Sequence, residues 1–215
     1  MSGAIVIVDY GSSNLCSVAR ALEHVAAGRY RVTVTDRAAD LIAAQRIVFP
    51  GQGAIGDCMR RIEALGLADT LRRCAVEKPF LGICLGLQSL FEFSDEDGGT
   101  QGLGLVAGRV DRFAAGRVLP DTGLPRKVPH MGWNRVDWTR PHPLTEGIAS
   151  GERFYFVHSY HVVPRDAAVV AAYTDYVDRF VSAISFGTVF ATQFHPEKSQ
   201  AAGLRLLRNF LDWQP

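Results

Sequence analysis

Pro79-Phe80-Leu81-Gly82-Ile83-Cys84-Leu85-Gly86 is the stretch on which the reading of this chain turns. An apolar, strand-like run delivers a cysteine between two glycines, and residues 87–91 continue as a plausible helix. A strand feeding a helix through G-x-C-x-G is the thiol form of the nucleophile elbow. The turn is tight, so side chains at the glycine positions would collide with the strand or with a substrate. A helix starting after the cysteine would present backbone N–H groups to the sulfur and favour thiolate over thiol. Taken alone, a cysteine after a strand is more often a buried small hydrophobe. The glycine frame and a candidate base elsewhere tilt the balance toward chemistry.

That base lies far along the chain, in Gln193-Phe194-His195-Pro196-Glu197, after the strand-like residues 189–192. Alternate strand residues share a face, which would set His195 and Glu197 in series behind Cys84. Nucleophile, base and orienting acid form the set that covalent catalysis needs.

Working outward, the first ninety residues alternate strand and helix signals. Residues 4–9 read as a buried strand and 14–27 as a helix with Leu15, Val18, Leu22 and Val25 on one face. Further strands are expected at 31–35, 46–49 and 80–83, with helix within 57–76 broken near Gly66. Such alternation predicts an α/β fold: a central, mostly parallel sheet flanked by helices. The second half is β-rich, at 106–113, 128–138, 152–163 and 168–173. Residues 180–186 and 189–194 read as a hairpin turning at Gly187-Thr188. A last helix over 200–213 is expected to turn Leu204, Leu207 and Leu211 inward, and the acidic, glycine-rich 95–104 reads as a mobile loop.

With 215 residues, 47% of them hydrophobic, the expectation is one domain spanning 1–215. The formal net charge is +1 and the charges are interspersed, so neither nucleic acid nor a membrane surface is an expected partner. Cys16, Cys58, Cys74 and Cys84 lack C-x-x-C spacing, which argues against a zinc site or a disulfide framework and for a reducing, cytoplasmic setting. The first residues read as strand rather than signal peptide, and no apolar run nears the roughly 18 residues that span a bilayer. No metal or organic cofactor is called for.

Several other stretches have two readings. Pro50-Gly51-Gln52-Gly53 follows a strand at the sheet edge where ligands bind, and its N–H groups with that of Leu85 could receive an oxyanion. It reads equally well as a tight turn, and it lacks the Gly-Lys-Ser/Thr ending of a nucleotide loop. Ser13 or Asn14 reads as a helix cap. Trp133 and Met131, in Pro129-His130-Met131-Gly132-Trp133-Asn134, suit a core or a partner surface. His158 and His161 read as structural histidines.

Together the elbow, Gln88 and the His195/Glu197 pair resemble the class I glutamine amidotransferase family, over the whole chain. The resemblance implies a flavodoxin-like fold with an added β-rich segment, and hydrolysis of glutamine to glutamate and ammonia by a Cys84-His195-Glu197 triad. It implies an oxyanion hole from the backbone of Gly51, Gln52, Gly53 and Leu85, and glutamine binding by Gln88, Ser159 and Tyr160. Residues 9–15, 129–134 and 195–199 most resemble family members that pass ammonia to a (β/α)₈ cyclase subunit of histidine biosynthesis, as a heterodimer. On that resemblance Asn14, Met131 and Trp133 belong to the contact surface, and Tyr155 and Lys198 to the junction the ammonia crosses. Ser12-Ser13 and Gln52 depart from the usual pattern. Alternatives of other kinds are an amidotransferase with a different acceptor, a lone cysteine hydrolase, and a binding module that keeps only the fold.

Overall fold

Apolar, strand-forming runs fall where parallel strands must be buried on both faces, and helices follow them. In the computed structural model, which describes residues 3–114, 116–118, 123 and 125–215, the first half runs β1 (Gly3–Val8), α1 (Leu15–Ala26), β2 (Tyr30–Thr35), α2 (Ala38–Ala43), β3 (Arg46–Gly51), α3 (Ile55–Ala64), α4 (Ala68–Glu77), β4 (Phe80–Cys84) and α5 (Leu85–Gln88). The second half contributes β5 (Phe91–Ser94), β6 (Thr100–Gln101), β7 (Val106–Arg112), β8 (His130–Trp138), β9 (Glu152–His158), β10 (Tyr160–Pro164), β11 (Val170–Tyr176), β12 (Asp178–Phe186), β13 (Val189–Thr192) and α6 (Gln200–Asp212).

Five strands, in the order β2-β1-β3-β4-β13, form the parallel heart of the sheet. From β13 the sheet continues through the expected hairpin to β12, where Phe186 pairs with Val189 across Gly187-Thr188. It then runs on through β10, β7, β5 and β6, while β11, β8 and β9 branch from β12. The mostly parallel centre and the added β-rich segment are both present.

Two apolar cores lie on the two faces. One gathers α1 and α6 with Ile5, Ile7, Val48, Leu81 and Ile83 of the parallel strands and the aromatic side chains of β9. The other gathers α2, α3 and α4 with Val6, Val8, Ile47, Phe49 and Phe80. Adjacent strand residues thus serve opposite cores, and each fully buried aliphatic or phenyl side chain contributes about 1.5–3 kcal/mol. The chain's end is tied down as well: buried Arg46 donates to the Trp213 carbonyl at 2.6 Å, and the Tyr30 hydroxyl to the Leu211 carbonyl at 2.9 Å.

Four expectations need correction. The helix after Cys84 is a single turn, α5, and Phe91 already opens β5. The Ser89 and Leu90 carbonyls that would extend the helix accept instead from the N–H groups of Leu103, Leu105 and Val106. The α6 face turned inward holds Leu206, Leu207, Phe210 and Leu211, with Leu204 only half-buried. Gly203 fixes that rotation, because a Cβ there would meet the Pro196 carbonyl oxygen at 1.9 Å. Asn14 is the N-cap of α1 but makes no side-chain cap bond. Residues 95–104 are built into the fold through a 3-10 turn, β6 and a bond from the Ile55 N–H to the Glu96 carboxylate at 2.8 Å.

Candidate active site

Cys84 ends β4 at φ +55°, a strained value for a residue with a Cβ, so the elbow's strain sits on the cysteine itself. The glycines serve close approach. A Cβ on Gly86 would stand 1.8 Å from the Phe49 carbonyl oxygen, and one on Gly82 would stand 2.9 Å from the Ala191 Cβ. Both neighbours belong to strands flanking β4, so bulk at either glycine would push the elbow off the sheet.

β13 delivers the base from the adjacent parallel strand, in register with β4 from Phe80 to Ile83. His195 follows its end and is buried; its N–H donates to the Tyr155 carbonyl at 2.9 Å. The Ser199 hydroxyl braces this loop by donating to the His195 carbonyl at 2.6 Å while accepting from the Tyr155 N–H at 3.0 Å. Glu197 sits on the 3-10 turn Pro196–Lys198, and its Oε1 lies 2.8 Å from His195 Nδ1. Both side chains are shut from solvent. His195 Nε2 is also buried, with no hydrogen-bond partner among the described residues. Burial disfavours the imidazolium, but the Cys84 sulfur and the Glu197 carboxylate outweigh it and push His195 up to about 10. Sulfur and imidazole are therefore coupled, and the coupling favours the protonated imidazole.

A cleft of about 420 Å³ opens over the sulfur. Gln52, Gly53 and Leu85 line one side, Gln88, Ser159 and Tyr160 another, and Tyr155 and Lys198 the rim. Gly51 pairs with Cys84 across β3 and β4, and a Cβ on it would meet the Tyr10 hydroxyl at 2.1 Å. Of the sequence-read loop and substrate residues, Gln52, Gly53, Leu85, Gln88, Ser159 and Tyr160 line the cleft, whereas Gly51 is buried at the end of β3 and does not. Leu85 opens a one-turn helix that leaves its first N–H groups without partners inside the helix, and it lines the cleft.

Glu96 also lines the cleft, and sequence reading missed it. Burial raises its carboxyl, partly offset by the Ile55 N–H. Its only signal in the sequence was an acid inside a glycine-rich loop.

The polar wall of the cleft is held from behind. The Tyr160 carbonyl accepts from His158 Nδ1 at 2.7 Å and from Gln88 Nε2 at 3.1 Å. Since a carbonyl only accepts, His158 carries its proton on Nδ1 and accepts at Nε2. His130 Nδ1, 3.0 Å away, must then donate, and its Nε2 accepts from Asn134 Nδ2 at 3.3 Å. His158 is structural, as expected, and His130 is structural with it; both are neutral: burial lowers His130 to about 4 and holds His158 well below its ordinary range.

Beside the rim, the Tyr155 ring meets the Trp133 ring edge-on at 6.2 Å, and the Lys198 ammonium lies 6.0 Å from its centre. Trp133 and Met131 project from the same face of β8 and stay 43% and 66% exposed. Asn14 stands deeper than a surface contact, with its amide on Glu197.

A family model described as glutamine amidotransferase class-I matches residues 6–213. The chain belongs to that family. Among its relatives, the imidazole glycerol phosphate synthase subunit HisH of Aromatoleum aromaticum is 54% identical, across 98% of this chain and 99% of the relative. The subunit of the same name from Methylococcus capsulatus is also 54% identical, across 99% and 97%. The amidotransferase fold recurs in solved structures of low identity. PurLQS from Thermotoga maritima gives a TM-score of 0.72 at 20% identity, covering 99% of each chain. A structure described as glutamine amidotransferase gives 0.68 at 21%, covering 96% of this chain and 97% of the other.

Proposed function

We propose that this amidotransferase is the glutaminase subunit of an imidazole glycerol phosphate synthase. The observation that carries the reading is a buried His195–Glu197 pair behind a strained Cys84, in a chain 54% identical to HisH subunits over nearly its full length.

The chemistry follows from the site. The Cys84 thiolate adds to the side-chain carbonyl carbon of glutamine, and the electron pair moves to oxygen. Backbone N–H groups of the Gly51-Gln52-Gly53 loop and of Leu85 receive that oxyanion, each donor being worth about 10²–10³ in turnover. Imidazolium Nε2–H protonates the leaving nitrogen, ammonia departs, and a thioester remains on Cys84. Neutral His195 then draws a proton from water, which attacks the thioester and releases glutamate. Glu197 holds the ring and stabilises its cation. Ser159, Tyr160 and the Gln88 carbonyl oxygen line the substrate, and the Glu96 carboxylate suits its α-ammonium group.

Ammonia free in water near neutral pH is mostly ammonium, a poor nucleophile, so it must reach its acceptor under cover. The partner is a cyclase subunit, read as a (β/α)₈ barrel, seated on the exposed Met131 and Trp133 beside the Tyr155–Lys198 rim. Asn14 lies against the triad, its amide on Glu197. No described helix is long and apolar enough to cross a membrane. A reducing cytoplasm suits the reactive thiol.

The test is Cys84→Ala in complex with the cyclase subunit. Glutamine-dependent product formation is lost while ammonium salts still support it. Loss of both activities, or survival of the first, would sink the reading.

A further inference from the structure

Gln193 is fully buried and lies two residues before the base, yet the mechanism above gives it no role. Its Nε2 is 3.6 Å from Cys84 Sγ, and its Oε1 is 3.1 Å from Gln88 Nε2. The orientation of this amide is fixed by chemistry. Gln88 Nε2 also faces the Tyr160 carbonyl, which only accepts, so that atom of Gln88 is its NH2 group. The Gln193 atom facing Gln88 must then accept, and the one facing sulfur must donate. Two amides therefore link the cleft wall at Tyr160 to the nucleophile: Gln88 donates both to the Tyr160 carbonyl and to Gln193 Oε1, and Gln193 donates to the sulfur.

We propose that Gln193 is a catalytic residue that stabilises the Cys84 thiolate through an N–H···S bond. The proposal rests on reading Cys84 as the nucleophile. A neutral thiol is a weak acceptor and a thiolate a strong one, so the bond favours the charged form. The thiol form has a competing contact: Sγ lies 4.0 Å from the Val157 carbonyl, which can accept S–H. Loss of that proton leaves the Gln193 donor as the side-chain bond to sulfur. The same donor helps when the thioester breaks down and thiolate departs. Gln88 acts behind it as a positioning residue: both of its N–H groups are committed to Tyr160 and Gln193, leaving only its oxygen for substrate.

The test is the pH dependence of Cys84 alkylation by iodoacetamide in the full chain, followed on the Cys84 peptide by mass spectrometry so that exposed Cys16 does not contribute. The variants are Gln193→Leu, which keeps bulk and removes the donor, and Gln193→Glu, which puts a carboxylate against the sulfur. Removing the donor should raise the midpoint of the profile by about one pH unit, and the carboxylate should raise it further. A purely structural role would lower stability and leave the midpoint in place. Folded variants with the wild-type midpoint, or a Glu variant no higher than Leu, would overturn the proposal. If Gln193→Leu does not fold, Gln193→Asn decides, since it keeps the polarity but withdraws the amide by one methylene. Glutamine hydrolysis that survives Cys84→Ala would instead sink the nucleophile reading. An unshifted profile beside an inactive Cys84→Ala protein sinks only the role of Gln193.

Discussion

Asn14 donates its side-chain amide to Glu197 Oε1 at 2.6 Å, the same oxygen that holds His195 Nδ1 at 2.8 Å. The residue that opens α1 therefore reaches the acid of the proposed triad from a position 183 residues away in sequence, while the other carboxylate oxygen, Oε2, is buried without a partner among the described residues. Two donors on one oxygen fix the carboxylate against the ring, and the Glu197 carboxylate is one of the groups that raise the imidazole. Asn14→Ala should lower kcat about tenfold with little change in KM, since the amide touches the acid rather than the substrate. Asn14→Asp should be worse, because it sets a second negative charge against Glu197. Steady-state glutaminase assays of the complex check both, and an unchanged kcat in either would remove Asn14 from the relay.

Gly86→Ala tests the elbow's packing. Its new methyl would stand 1.8 Å from the Phe49 carbonyl, a backbone atom in the sheet that has no rotamer to yield. The expected cost is about 2 kcal/mol or more of stability, with Cys84 displaced and glutamine turnover lost. Urea denaturation and circular dichroism measure the first. A variant as stable as the parent would show that the turn relaxes freely.

How far the sequence could be read follows from the range of the interactions. The elbow, the parallel strands and the β12–β13 hairpin announce themselves through local pattern, because a glycine frame and a run of β-branched residues are local constraints. The length of α5 does not, since Leu103, Leu105 and Val106 end it by taking the Ser89 and Leu90 carbonyls that would extend it. The inward face of α6 was misjudged at Leu204 because apolar residues lie on more than one side of that helix, and the contact at Gly203 sets its rotation. Within the site, Cys84, His195 and Glu197 were legible as residue types at telling spacings. The amide contacts of Asn14 and Gln193 were not. Each is a polar side chain whose partner lies 183 or 109 residues away, and no periodicity marks such a pair.

Acid should weaken the fold through the buried histidine chain. His130 is lowered from 6.5 to about 4 by burial, and His158 is lowered by burial and by His130. Below pH 6.5 the unfolded chain takes up protons that the folded chain refuses, so stability is lost as pH falls from 6.5 toward about 4. Near the lower limit His130 charges, its Nε2 stops accepting from Asn134, and the support behind Tyr160 loosens. His130→Phe keeps a ring stacked between Phe156 and Tyr176 and should flatten this dependence by about one proton. Urea denaturation across the acid range measures it, and an unaltered slope would mean that His130 is not the group refusing the proton.

His195 predicts the opposite limb. Its folded value, about 10, stands above the ordinary 6.5, so its contribution is complete below pH 6.5 and drains away as pH rises toward 10. His195→Gln, which cannot carry charge, should lose that alkaline decline while keeping the acid one. The comparison belongs in a Cys84→Ser background as well, because the sulfur is one of the two groups that raise the imidazole. There the decline should begin at lower pH. If it does not move, Glu197 alone holds the proton on His195 and the sulfur contributes nothing to it.

The exposed aromatic on β8 gives the last test. Trp133 is 43% exposed and Met131 66%, on one face of the strand, and the Trp133 ring continues inward through Tyr155 to Lys198 at the rim of the cleft. A large apolar side chain left in water at the mouth of an ammonia-producing site suits burial against a partner. Trp133→Ala should leave the fold and the alkylation of Cys84 intact, because the ring is not part of either core. It should weaken association with the cyclase subunit by about 2 kcal/mol or more, roughly a thirtyfold rise in Kd. Titration calorimetry with the purified cyclase subunit reads the difference directly. An unchanged Kd would move the docking surface away from β8, and with it the path proposed for the ammonia.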